Sequence, residues 1–169
     1  MSNTNNIRFN NSNRQFYTEV KKRVDFYFRD NKITKNGNYN MYLKSIFMFS
    51  AYFVPYFLLV FNVFDSKLIW LLLAVLMGFS MAGISLCVML DAHHGSYSKN
   101  AKINRILGYV TLNILGGYSL NWRIQHNVIH HTYTNVHDVD EDIAPPGFMR
   151  FEPHTERKFI HKFQFLYAW

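Results

Sequence analysis

One cysteine in 169 residues excludes any disulfide framework within the chain and argues against a cysteine-based metal site. That residue, Cys87, lies in an apolar run and reads as a small packing side chain. The Asn-rich stretch from Met1 to Asn13 has no apolar core, so it is not a secretory signal peptide. Residues 1–15 are expected to form a disordered tail. Acidic residues are few, 11 against 18 Lys and Arg, leaving a net charge of +7. A basic chain can bind nucleic acid, but here the Lys and Arg sit beside apolar spans. Anionic lipid is the more economical partner, and no nucleic acid is expected. The length suits one domain, and no internal repeat is visible.

Charge is missing altogether from two long runs. Residues 45–64 carry none over 20 positions and residues 68–90 none over 23. Each is long enough to cross a hydrocarbon core of ~30 Å as a helix. Pro55 lies within the first, which membrane helices tolerate. Only Asp65, Ser66 and Lys67 lie between the two runs, so a helical hairpin is expected. Residues 1–44 hold nine Lys and Arg against one in that connection. The excess places the N-terminus, and everything after Leu90, on the cytoplasmic side of a multi-pass membrane protein. Residues 16–40 form an amphipathic, aromatic and basic helix followed by a turn at Asn36-Gly37-Asn38. That helix lies either on the membrane surface or on the protein's own soluble part. Residues 103–120 are apolar but broken by Gly108, Gly116 and Gly117, and suit an interfacial or re-entrant helix. Beyond the acidic loop 138–142 and Pro145-Pro146-Gly147, the chain from Glu152 reads as an amphipathic helix.

All eight histidines follow Leu90. Three fall in His126-Asn127-Val128-Ile129-His130-His131. On an α-helix His126 and His130 share a face, while His131 turns away by about 100°. One short element would then offer nitrogen ligands in two directions, which suits a metal pair. Neutral imidazole is the commonest side-chain ligand for transition metals. His94 lies at the cytoplasmic end of the second run, where it can join this cluster. His137 is either a ligand or a hydrogen-bonding partner in the acidic loop. His154 and His161 read as ordinary surface or core residues. Acidic residues 138–142 either orient ligands or form a solvated loop that docks a partner.

The motifs Asp91-Ala92-His93-His94-Gly95-Ser96 and Gln125-His126-Asn127-Val128-Ile129-His130-His131-Thr132-Tyr133-Thr134-Asn135, after a membrane hairpin, resemble the membrane fatty acid desaturases. The resemblance is closest to the bacterial front-end or linoleoyl-CoA-type branch and runs from Phe16 to Trp169. It implies an all-α membrane protein, a transmembrane helical hairpin with cytosolic helices that carry a histidine-rich, partial di-iron site. Residues 41–169 would be a partial desaturase domain, with the histidine boxes at 121–142 following the interfacial helix. The implied metal ligands are His94, His126, His130 and His131. The implied reaction uses dioxygen and non-haem di-iron to place a cis double bond in an acyl-CoA or acyl-lipid chain. A b-type cytochrome or a ferredoxin would supply electrons.

The sequence departs from the family pattern in two places. The first box, H-D-x-x-H, has Leu90 at its leading position, with His93 the candidate stand-in for the lost ligand. The third box, Q-x-x-H-H, and the hairpin before it are absent, as is a cytochrome domain ahead of the first span. The chain is therefore expected to be the N-terminal half of such an enzyme, cut within the aromatic run ending at Trp169. An inactive truncated relic and a related membrane di-iron hydroxylase are the alternative readings.

Overall fold

The computed structural model describes residues 7, 9, 14–144 and 147–168. Most of the expected disordered tail, Pro145-Pro146 and the terminal Trp169 lie outside the described residues. Every regular element among the described residues is helical, with no strand. The chain forms two compact units, Asn11–Ser119 and Leu120–Trp169 together with Met1–Asn10.

In the first unit, α1 spans Arg14–Asp30 and so takes up residues 14 and 15 of the expected tail. Phe16, Val20, Val24 and Tyr27 share one face, and none of its residues is buried. Helix α2 (Tyr39–Val60) starts where the Asn38 side chain accepts a hydrogen bond from the Met41 amide. It therefore begins before the uncharged run does. Pro55 lies inside α2 without ending it. Asn62, at φ +50°, turns the chain, and the Trp70 indole donates to the Phe64 carbonyl at 2.7 Å. Helix α3 (Lys67–Ile84) returns along α2. It continues through a π-helical segment, Ser85–Met89, into the short α4 (Leu90–His93). Gly95, at φ +73°, ends the helix just past His94.

The apolar side chains of this hairpin are mostly uncovered. Only 11% of the most apolar window of α2, and 17% of that from Lys67 to His93, is buried. A core helix of a water-soluble domain would be largely buried, whereas Phe57, Leu72, Phe79 and Leu86 are all at least half exposed. The two helices are long and apolar enough to cross a membrane.

The true core is small and lies at the His94 end of α3. Val88, Ala92 and Tyr97 are buried there, with Met41, Phe49, Cys87 and Leu107 packed against them. Cys87 is thus a packing residue. The Tyr97 hydroxyl donates to Ser45 Oγ at 2.9 Å, joining the loop after α4 to α2. Asn36 and Gly37, the expected turn, bond to the carbonyls of Gly95, Ser98 and Ser96. Buried Asn104 grips Ser98 through both its amide oxygen and nitrogen, each at 2.8 Å.

Helix α5 covers Ala101–Ile114, not the whole of 103–120. Gly116, at φ +78°, breaks the stretch, and a separate short helix α6 (Ser119–Trp122) follows. Gly108 on α5 is where His93 packs. A Cβ there would sit 2.9 Å from the imidazole. Gly108→Val should therefore displace His93 and cost about 1–3 kcal/mol by overpacking. A thermal melt of the variant unchanged from the parent would disprove that contact.

In the second unit, residues Arg123–His130 are π-helical, and short 3-10 turns form at Glu141–Ile143 and Phe159–Phe163. The amphipathic helix expected from Glu152 does not form. Arg150 donates to the carbonyls of Thr155 and Pro153, each at 2.7 Å, and so winds residues 150–155 into a turn. Helical structure resumes only at Phe159 and ends with the four-residue α7 (Gln164–Tyr167).

Candidate metal centre

The π-helical segment decides the histidine geometry. The His131 backbone N–H bonds to the His126 carbonyl, five residues back. A π-turn advances less angle per residue than an α-turn, so residues five apart come onto one side. The expected α-helical divergence of His131 is therefore corrected. The three rings form a triangle, with centroids 5.1 Å apart for His126–His130, 5.1 Å for His126–His131 and 5.4 Å for His130–His131. Some of the divergence survives in ring orientation. His126 and His130 are nearly parallel at 18°, while His131 stands at 89° and 75° to them. Trp122, one turn earlier, stacks on His126 at 4.4 Å.

Carboxylates of the acidic loop meet this segment. His126 Nδ1 lies 2.6 Å from Asp142 Oδ2, and His130 Nδ1 lies 2.9 Å from each oxygen of Asp140. The Gln125 amide donates to Glu141 at 2.7 Å. Asp140 is almost fully buried. Burial alone would raise its pKa. The hydrogen bond from His130 and those from the Asn135 and Asp142 amides more than offset this, holding it below the ordinary 3.8. Asp140 thus stabilises the fold at neutral pH, and that contribution fades as pH falls through its lowered pKa. Asn135 and Asp138, both at φ +62°, fold the intervening loop back. Asn and Asp tolerate that conformation better than other side chains.

His94 caps α4 in the first unit and is exposed. His93 has its Nδ1 2.9 Å from the Met89 carbonyl and its Nε2 2.9 Å from Ser119 Oγ. Both of its nitrogens are thus engaged. His137 pairs with Glu152 at 2.5 Å and lies beside His154, with ring centroids 5.2 Å apart. His137, Asp138 and Glu152 line a cavity of about 260 Å³ together with Asp140, Glu141 and Thr155 among others. His161 Nδ1 accepts from the Lys158 amide. The sequence left residues 138–142 open between orienting ligands and docking a partner, and Asp140 and Asp142 of that loop are the ones that meet the histidines. The D-x-D spacing ten residues after His130 was the available signal.

The fatty acid desaturase family model matches residues 65–169. The chain belongs to the fatty acid desaturase family. It is 38% identical over 157 residues to an acyl-lipid (8-3)-desaturase of Physcomitrium patens, covering 92% of this chain and 32% of that protein. It is 36% identical to a sn-1 linoleoyl-lipid 6-desaturase of Synechocystis, covering 92% and 43%. A protein of the same description from Arthrospira platensis is 31% identical, covering 91% and 41%. The chain thus spans about a third to two-fifths of the length of these curated relatives. No solved structure matches it.

Proposed function

We propose that this chain supplies the membrane hairpin and the first two histidine boxes of an acyl-lipid desaturase. The gathering of His126, His130 and His131 by the π-turn is the observation that carries the reading. The donor set fits iron: neutral imidazoles, two of them braced by carboxylates, as metal-ligating histidines usually are. His94, His126, His130 and His131 hold the metal in this reading. A non-haem di-iron centre bound there would activate dioxygen and remove two hydrogens from the acyl chain, leaving a cis double bond.

The chain's own residues do the rest. Imidazoles ligate as neutral donors and would leave the positive charge of a bound metal uncompensated, which favours an oxidising centre. Trp122 stacks on His126 and shields its face from water. Arg123, exposed at the head of the same segment, meets the polar end of the substrate. His93 is a positioning residue instead of a ligand, because the Met89 carbonyl and Ser119 hydroxyl occupy its nitrogens.

Helices α2 and α3 span the membrane, with the N-terminus and both boxes on the cytoplasmic side. Helix α1 lies on the membrane surface in this reading, which the exposure of Phe16, Val20, Val24 and Tyr27 supports. The names of the relatives favour an acyl-lipid over an acyl-CoA substrate. A b-type cytochrome or ferredoxin delivers the electrons. Expressed in a host that makes no polyunsaturated lipids, the enzyme built on this chain should add double bonds to glycerolipid acyl chains. An unchanged acyl profile on gas chromatography would count against the reading.

Leu90 supports a second reading, an inactive relative, because leucine cannot ligate iron. Leu90→His should then raise iron content, whereas in the active reading it leaves iron content and turnover within about twofold.

A further inference from the structure

We infer that Asp142 and Asp140 are positioning residues that lock His126 and His130 in the Nδ1–H tautomer, so that each ring meets a metal through Nε2. A neutral imidazole carries one N–H, and the hydrogen bond made by one nitrogen decides which atom bears it. A carboxylate only accepts. The 2.6 Å contact from His126 Nδ1 to Asp142 and the 2.9 Å contacts from His130 Nδ1 to Asp140 therefore place the protons on Nδ1. Each Nε2 keeps its lone pair. With the two rings only 18° from parallel and both Nδ1 atoms held by the acidic loop, both Nε2 atoms are turned away from that loop.

The clamp is itself built. Asp140 accepts from the Asn135 amide at 2.8 Å and the Asp142 amide at 3.1 Å, as well as from His130. Its position is thus fixed by backbone, and it starts the 3-10 turn that carries Asp142 to His126. Both oxygens of Asp140 face donors, so an amide in its place would set an N–H against an N–H. Asp142 is different. Only Oδ2 is engaged by a histidine, at 2.6 Å to His126 and 3.6 Å to His130. One competing arrangement uses the same atoms. The ligating atoms of His126, His130 and Asp142 lie within 4.8 Å of one another, which would suit a metal held through Nδ1 with Asp142 as a direct ligand. The short contacts are hydrogen-bond distances between donor and acceptor, and they favour the clamp.

The inference deepens the proposed metal role, but its first test needs no metal. Nitrogen NMR of isotope-labelled imidazoles in the metal-free full chain, in detergent about two pH units above the ordinary histidine pKa, reads the tautomer directly. His126 and His130 should both be Nδ1–H. Asp142→Ala should return His126 to the Nε2–H form while His130 keeps its own, and Asp140→Ala should return His130. An Nε2–H tautomer at either residue of the parent chain overturns the inference. Ferrous iron titration is the second arm. Asp142→Ala should bind about 10–100-fold more weakly than the parent. Asp142→Asn keeps an acceptor oxygen and should bind within a few-fold of the parent. If Asp142→Asn is as weak as Asp142→Ala, Asp142 is a ligand and the positioning role is wrong. If the parent shows both Nδ1–H tautomers but takes up no iron, the metal reading fails while the clamp stands.

Discussion

On the proposed reading, replacing His130 with alanine should lower iron affinity by at least about 100-fold and bring desaturation by the assembled enzyme to background. Loss of an outer partner alone typically costs 10–100-fold, and removing the ligand itself must cost more. His130 stands within 5.1–5.4 Å of both other rings and is the one held by the most buried carboxylate. Its loss also takes the imidazole donor from buried Asp140, which then keeps the Asn135 and Asp142 amides to hold its pKa down. That adds a structural cost of about 1–3 kcal/mol. His154→Ala is the control. It lies beside His137 in the second unit, outside the triangle, and should keep iron and turnover within about twofold. Iron content by elemental analysis and acyl products by mass spectrometry read both variants. Parent-level iron in His130→Ala would remove the triangle from the metal site.

The second large effect separates a membrane helix from a helix in water. Phe79 lies near the middle of the Lys67–His93 helix and is 75% exposed. In a lipid bilayer Phe79→Arg should cost about 2.5–3.5 kcal/mol at the helix centre. In water an exposed site tolerates such a change within about 0.5 kcal/mol. The inserted fraction of Phe79→Arg, assayed by alkaline extraction of membranes, should fall well below that of the parent. Leu68→Arg, at the polar end of the same helix, should insert nearly normally because its side chain reaches the interface. Equal insertion of all three would place α3 in water.

The hairpin was legible because its cause is local. Two uncharged runs of membrane length joined by a few polar residues leave little else to form. The α1 pattern was legible for the same reason, since a single face carries Phe16, Val20, Val24 and Tyr27. The histidine triangle was only half legible. Spacing places His126 and His130 together in an α-helix, but His131 joins them only through an i→i+5 hydrogen bond, and hydrophobic periodicity does not encode a π-turn. The clamp was harder still. Asp140 and Asp142 reach the histidines across a loop reversed at Asn135 and Asp138, and such a reversal depends on tertiary contacts. The tail beyond Glu152 misled because its apolar spacing suits a helix, while Arg150 binds the local carbonyls into a turn instead. The surroundings of His93 were not legible, because Ser119 and Gly108 reach its ring only through tertiary packing.

Mössbauer spectroscopy of the purified chain, loaded with isotopically enriched ferrous iron and washed of unbound metal, tests the central claim most directly. The predicted result is a signal of nitrogen-ligated iron in the parent that disappears when His126, His130 and His131 are replaced together by alanine. A parent signal no larger than that of the triple variant would contradict it.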